Sequence, residues 1–147
     1  MTQEHANSQA LQWFRRSVGS WTSQRTYLFA PQMKPVNLVT NFTVVNGEKG
    51  NQFIVDWKGQ TSGTMELELN GLTLNRSRDY LGDGANSSAI TMLDDDSIIM
   101  RTSYSGLNVR ESITLLHDDS IRLRQTVAIE AATGKIRLTG SYFETRL

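Results

Sequence analysis

Glu111 is the residue whose setting asks for chemistry. It shares an alternate-residue phase with Leu107, Val109, Ile113 and Leu115, so on a β-strand it stands on one face with four aliphatic side chains. Stripping a carboxylate of water among such neighbours is costly unless a base or a ligand answers it. Arg122 and Arg124 follow on the far side of a His117-Asp118-Asp119-Ser120 turn, which places them on the returning arm of a hairpin. Alternation leaves two placements open for them: facing Glu111, or on a solvated outer face with Ile121 and Leu123 turned inward. Glu144, in phase with Tyr142 and Leu138, is a second carboxylate on an apolar-looking face. Arg25, in phase with Trp21 and Ser23, reads first as packing on Trp21. Carboxylates and guanidinium forks of this kind recognise ligand carboxylates and N–H groups and can support proton transfer.

The composition narrows what else is available. Lysines plus arginines equal aspartates plus glutamates at 15 each, and there is no cysteine. A neutral chain has no global field to draw nucleic acid or an anionic membrane. Without thiols there is no disulfide, thiolate metal site or cysteine nucleophile, and His5 and His117 alone do not make a metal cluster. The apolar runs are shorter than the roughly 20 residues of a membrane helix, and the polar N-terminus lacks a signal-peptide core. The expectation is one domain over residues 1–147, located in the cytoplasm.

The elements that must position these residues are mostly strands. Ser8 is read as the cap of an amphipathic helix over residues 8–18, with Leu11, Phe14 and Val18 on its apolar stripe, Arg15 and Arg16 in its last turn and Gly19 as its stop. From Ser20 onward the chain alternates. Val36 to Val45, Asn51 to Lys58, Thr64 to Leu69, Ala89 to Leu93, Ser97 to Ser103 and Ile136 to Arg146 read as strands, with turn signals at Asn46-Gly47, Asn70-Gly71 and Asp94-Asp95-Asp96. Asn75 to Gly84 reads as the longest loop. About ten short, regularly spaced strands predict an up-and-down antiparallel β-barrel after one N-terminal α-helix. Polar residues on otherwise apolar faces favour a ligand-enclosing barrel over a dry sandwich: Thr40 beside Phe42, Glu111 beside Val109, Gln125 beside Leu123.

Gly19-Ser20-Trp21 has the Gly-x-Trp form found at the start of the first strand in lipocalins. Together with Trp13-Phe14-Arg15-Arg16-Ser17, Arg101-Thr102-Ser103-Tyr104, Arg110-Glu111, Ile121-Arg122-Leu123-Arg124-Gln125-Thr126 and Gly140-Ser141-Tyr142-Phe143-Glu144-Thr145-Arg146, it resembles the S-type phycobiliprotein lyases along essentially the whole chain. The resemblance is poorer after Thr26, where Tyr27-Leu28-Phe29 replaces a His-containing segment, and between Asn75 and Gly84. It implies a lipocalin-like barrel that binds an open-chain tetrapyrrole (a bilin such as phycocyanobilin or phycoerythrobilin) as a non-covalent substrate. It further implies attachment of that bilin through a thioether to a cysteine of a phycobiliprotein subunit. On this resemblance Glu111 and Glu144 are the catalytic carboxylates, and Arg122, Arg124, Trp57 and Arg25 bind the ligand. No permanent cofactor is implied. The partners implied are the bilin and the apo-subunit, with the working form left open between monomer, homodimer and heterodimer with a paralogous subunit. A non-catalytic carrier of a fatty acid or tetrapyrrole is the competing expectation.

Overall fold

The computed structural model describes residues 2–77 and 86–147. These form one helix, α1 (Gln3–Arg16), and ten strands: β1 (Gly19–Phe29), β2 (Lys34–Asn46), β3 (Gln52–Lys58), β4 (Ser62–Asn70), β5 (Thr73–Arg76), β6 (Asn86–Met92), β7 (Ser97–Tyr104), β8 (Leu107–Leu116), β9 (Ile121–Glu130) and β10 (Ile136–Arg146). Each strand pairs antiparallel with its neighbours in sequence, and β10 closes on β1. The expected all-β up-and-down barrel is the observed one. Closure removes the edges on which unpaired backbone groups would otherwise invite another chain.

Two local expectations are corrected. The helix begins well before Ser8: Thr2 is the cap, its Oγ1 accepting the His5 N–H at 3.1 Å, with Glu4 in the positive first turn. Ser8 is exposed within the helix, and Val18 lies beyond its end, so the buried stripe is Ala10, Trp13 and Phe14. The region read as the loop Asn75 to Gly84 opens with Asn75 and Arg76 still in β5, while residues 78–84 of it lie outside those described.

One end of the barrel is stoppered by α1. Phe14 meets Phe53 at 5.8 Å between ring centroids, and Trp13 Nε1 donates to the Asp96 carbonyl at 2.8 Å. Arg16 clamps the helix across two turns, with hydrogen bonds at 2.7–3.2 Å to the Asp119 carboxylate, one at 2.7 Å to Asp96 Oδ1 and another of the same length to the Asp95 carbonyl. Asp94, Asp95 and Asp96 thus form the exposed turn expected of them, and the last two also dock the helix. Trp21 lies just inside, fully buried, its Nε1 donating to the Ser17 carbonyl at 2.9 Å. Arg146 covers its outer ring face at 4.4 Å and donates to the Val18, Arg16 and Asp119 carbonyls. Gly19, at φ +148°, lacks the Cβ that would strike the Arg146 guanidinium, which is the local reason for the Gly-x-Trp form.

Candidate functional site

The barrel interior has two unlike walls. Along β2, β3 and β4 the inward positions carry Phe42, Phe53, Val55, Trp57, Met65 and Leu67. Trp57 is half-buried near the end of β3. Its ring lies over Gly63 of β4, where an added Cβ would come within 2.5 Å of it. A glycine there is what lets the indole lie against the wall.

The opposite wall is a continuous polar arc. It runs from Thr40 on β2 through Ser23 and Arg25 on β1, Glu144 and Tyr142 on β10, Arg122, Arg124 and Thr126 on β9, and Glu111 on β8. Thr102, Ser88 and Arg76 complete it. Glu111 is 2 % exposed and Glu144 0 %, so both carboxylates are as enclosed as any core aliphatic. The structure answers each with guanidinium. Arg124 donates to Glu111 Oε2 through Nε at 2.8 Å and again through Nη2. Arg76 Nη2 stands 4.0 Å from Glu111 Oε1 and its Nη1 bonds the Ser88 hydroxyl, which in turn meets Thr102. Arg122 Nε donates to Glu144 Oε1 at 3.0 Å, and Arg25 Nη2 lies 4.0 Å from Glu144 Oε2. Each carboxylate is therefore bracketed by two arginines.

Burial alone would push the Glu144 carboxyl up. Arg122, Arg124, the Ser23 hydroxyl and Arg25 outweigh that and hold it below the usual carboxylate range, so it is ionised at neutral pH. Tyr142 moves the other way: burial pushes its phenol well above the ordinary tyrosine value, so it stays a hydrogen-bond donor. Its ring is flanked by the Arg124 guanidinium at 4.6 Å and that of Arg25 at 5.1 Å. Arg122 is held differently, its guanidinium 5.5–5.6 Å from the rings of Trp13, Trp21 and Phe42. Such an aromatic cage favours a cation by roughly 0.5–2 kcal/mol.

Of the residues singled out from the sequence, Glu111, Glu144, Arg122, Arg124 and Arg25 come together on this arc, and Trp57 faces it from the other wall. Arg25 does not pack on Trp21, the position that Arg122 and Arg146 take. It bonds Ser23 Oγ at 3.0 Å and Tyr27 Oη at 3.4 Å. The choice left open for β9 falls to the arginines inside. Leu123 and Gln125 are outside, so Gln125 gave no sign of a polar lumen. Leu123 instead joins Val39, Gln24 and Phe143 along a groove of about 590 Å³ that Arg25, Arg124 and Tyr142 of the arc also border. Arg76 and the hydroxyls of Ser88 and Thr102 were not anticipated. The signal for Arg76 was its phase with Leu74, hidden by the polar residues that follow it.

No protein-family model matches the sequence, and no curated protein matches it in sequence. The fold has solved counterparts. The S-type phycobiliprotein lyase CPES from Guillardia theta superposes with a TM-score of 0.74 over 100 % of this chain and 98 % of that one, at 14 % identity. A protein of unknown function from the DUF3598 family of Nostoc punctiforme gives 0.69 over 91 % of this chain and 49 % of that one, at 13 % identity. Rv2717c from M. tuberculosis gives 0.62 over 94 % and 97 %, at 12 % identity. At such identities the likeness establishes the lipocalin-like barrel with its N-terminal helix and nothing finer. Among the described residues no helix is long and apolar enough to cross a membrane.

Proposed function

We propose that the protein is a bilin lyase: it binds an open-chain tetrapyrrole in the barrel and presents it to a cysteine of a phycobiliprotein subunit. The observation that carries this reading is the pair of fully buried glutamates, each bracketed by arginines, facing an apolar wall that ends in Trp57. A buried ion pair is seldom better for stability than well-packed aliphatic side chains. Two of them beside each other on one wall are better explained by a ligand with acidic and N–H groups along one edge and a flat apolar body. A bilin has that chemistry: propionates, pyrrole N–H groups and a conjugated chain. Glu111 and Glu144 would accept from the pyrrole N–H groups and favour protonation of the conjugated system, which makes it a better acceptor for a thiol. Arg122, caged by three rings, keeps Glu144 charged, and Arg124 hydrogen-bonds Glu111. Either arginine would meet a ligand carboxylate only by sharing its guanidinium with its glutamate. Trp57 supplies a stacking face.

The reaction is addition of the client S–H across the exocyclic double bond of the first ring, with sulfur bonding to carbon and the proton to its neighbour. The barrel's contribution is orientation and the exclusion of wrong additions. Having no cysteine, the chain cannot itself retain the bilin by a thioether. The test is to mix purified protein, phycocyanobilin and one apo-subunit, with and without a second lyase-like subunit. The expected result is a covalent, fluorescent adduct on the client only, formed faster than without the protein. Bilin bound and acid-released with no acceleration of transfer would instead make this a carrier.

A further inference from the structure

Further from α1 than the Arg122–Glu144 pair, the arc carries hydroxyl groups to which neither glutamate hydrogen-bonds directly. Arg124, Tyr142 and Arg25 lie opposite one another on β9, β10 and β1, and the next inward positions in the same register are Thr126, Gly140 and Tyr27. Gly140 leaves a gap in that row. The Tyr142 phenol folds over it, its oxygen 2.9 Å from where a Gly140 Cβ would be. Three hydroxyls, those of Thr126, Tyr142 and Tyr27, therefore stand along one line beside the Arg25 guanidinium. Their hydrogen bonding is incomplete: Thr126 Oγ1 is buried with the Tyr142 hydroxyl beside it but outside full bonding geometry. Arg25 spends Nε on Ser23 and reaches Tyr27 only at 3.4 Å, and its Nη2 is 4.0 Å from Glu144. Stacking on Tyr142 fixes the plane of that guanidinium, so its outer edge is set before anything binds.

We infer that Arg25, with Tyr27, Tyr142 and Thr126, forms a carboxylate subsite that takes one propionate of the ligand, so that Arg122 and Arg124 serve the glutamates. The inference rests on the reading that the lumen takes a bilin. It assigns the ligand an orientation within it, with a carboxylate over β10 and β1 towards the end away from α1 and the conjugated body against Trp57. A planar guanidinium flanked by hydroxyl donors suits a carboxylate better than a neutral ester, which cannot form the charge-assisted pair.

The experiment compares biliverdin with its dimethyl ester by absorbance titration and tryptophan quenching, on wild type, Arg25→Gln, Arg25→Lys and Tyr27→Phe, each checked for folding by circular dichroism. Wild type is expected to bind the acid at least tenfold more tightly than the ester. Arg25→Gln should erase that preference by weakening the acid alone, Arg25→Lys should restore part of it, and Tyr27→Phe should lower it severalfold. Acid and ester bound equally by wild type, or a preference that survives Arg25→Gln, overturns the subsite and leaves the bilin reading standing. Failure of wild type to bind either compound overturns both.

Discussion

The stoppered end and the polar arc are equally buried and are held together by opposite means. Trp13, Trp21, Phe53, Ile98 and Leu115 at the helix end are no more than 2 % exposed, and so are Glu111 and Glu144 on the arc. At the stoppered end nearly every contact removes apolar area from water, a contribution of about 1.5–3 kcal/mol for each large side chain. On the arc each favourable contact offsets the cost of desolvating a charge, and the sum is near zero. Arg122 is the joint between them, one edge on Glu144 and its faces among Trp13, Trp21 and Phe42. One region therefore stabilises the barrel, and the other uses that stability to hold charges in a fixed geometry.

The sharpest way to break this division is at the ring that both regions touch. Trp21→Ala should cost about 3–5 kcal/mol in chemical denaturation, since it empties a core site and removes the surface on which Arg146 and Arg122 rest. An effect under 1 kcal/mol would mean that the helix end is not the stabilising half. On the arc, Glu111→Met should cost roughly 3–5 kcal/mol at most by leaving Arg124 buried against no carboxylate, and Glu111→Met with Arg124→Met should recover at least half of that loss. Bilin binding should be lost in both. A double variant no more stable than the single one would show that the arc contributes net stability after all.

Acidity separates the regions more finely. The Glu144 carboxyl lies below its unfolded value, so its contribution is fully present above the ordinary carboxylate range and is lost only as pH falls through the depressed folded value. Stability should thus be flat with respect to this group from pH 7 down to about 5, and Glu144→Gln should remove part of the loss seen below that. The Arg16 clamp gives a smaller and different signature. Its hydrogen bonds hold the Asp119 carboxyl down, yet both side chains are about one-third exposed. Asp119→Asn should cost about 0.5–1 kcal/mol, shrinking in high salt, whereas the cost of Glu144→Gln should barely respond to salt. The smallest expected effect concerns the helix start. Ser8→Ala should be neutral or stabilising by a few tenths of a kcal/mol, while Thr2→Ala should lose about 0.5–1 kcal/mol of helix stability in the same measurement.

Much of the barrel was legible because alternation is a local property. Glu111 among Val109 and Ile113 and Glu144 beside Tyr142 both turned out to face inward, as their phases indicated. On β9 the same rule left both placements open, and only the resemblance favoured the arginines inside. There the inward positions are Arg122, Arg124 and Thr126, and the apolar Leu123 is 42 % exposed. A strand whose buried face is its charged face inverts the sign on which the reading depends. Arg76 was missed for a related reason: a short strand leading into polar residues has too few turns of alternation to announce itself.

The sequence by itself determined which residues share a face, where the chain turns, and that a thiol-free, neutral chain must work through carboxylates, arginines and hydroxyls. Which face points inward was decided only when ten strands closed and β10 met β1. Closure brings Arg25 to Tyr142 and Glu144, from opposite ends of the chain, and sets Arg122 among rings from α1, β1 and β2. The physical reason is that pairing period is written residue by residue, whereas the balance between desolvating a charge and answering it depends on neighbours that only the closed barrel supplies.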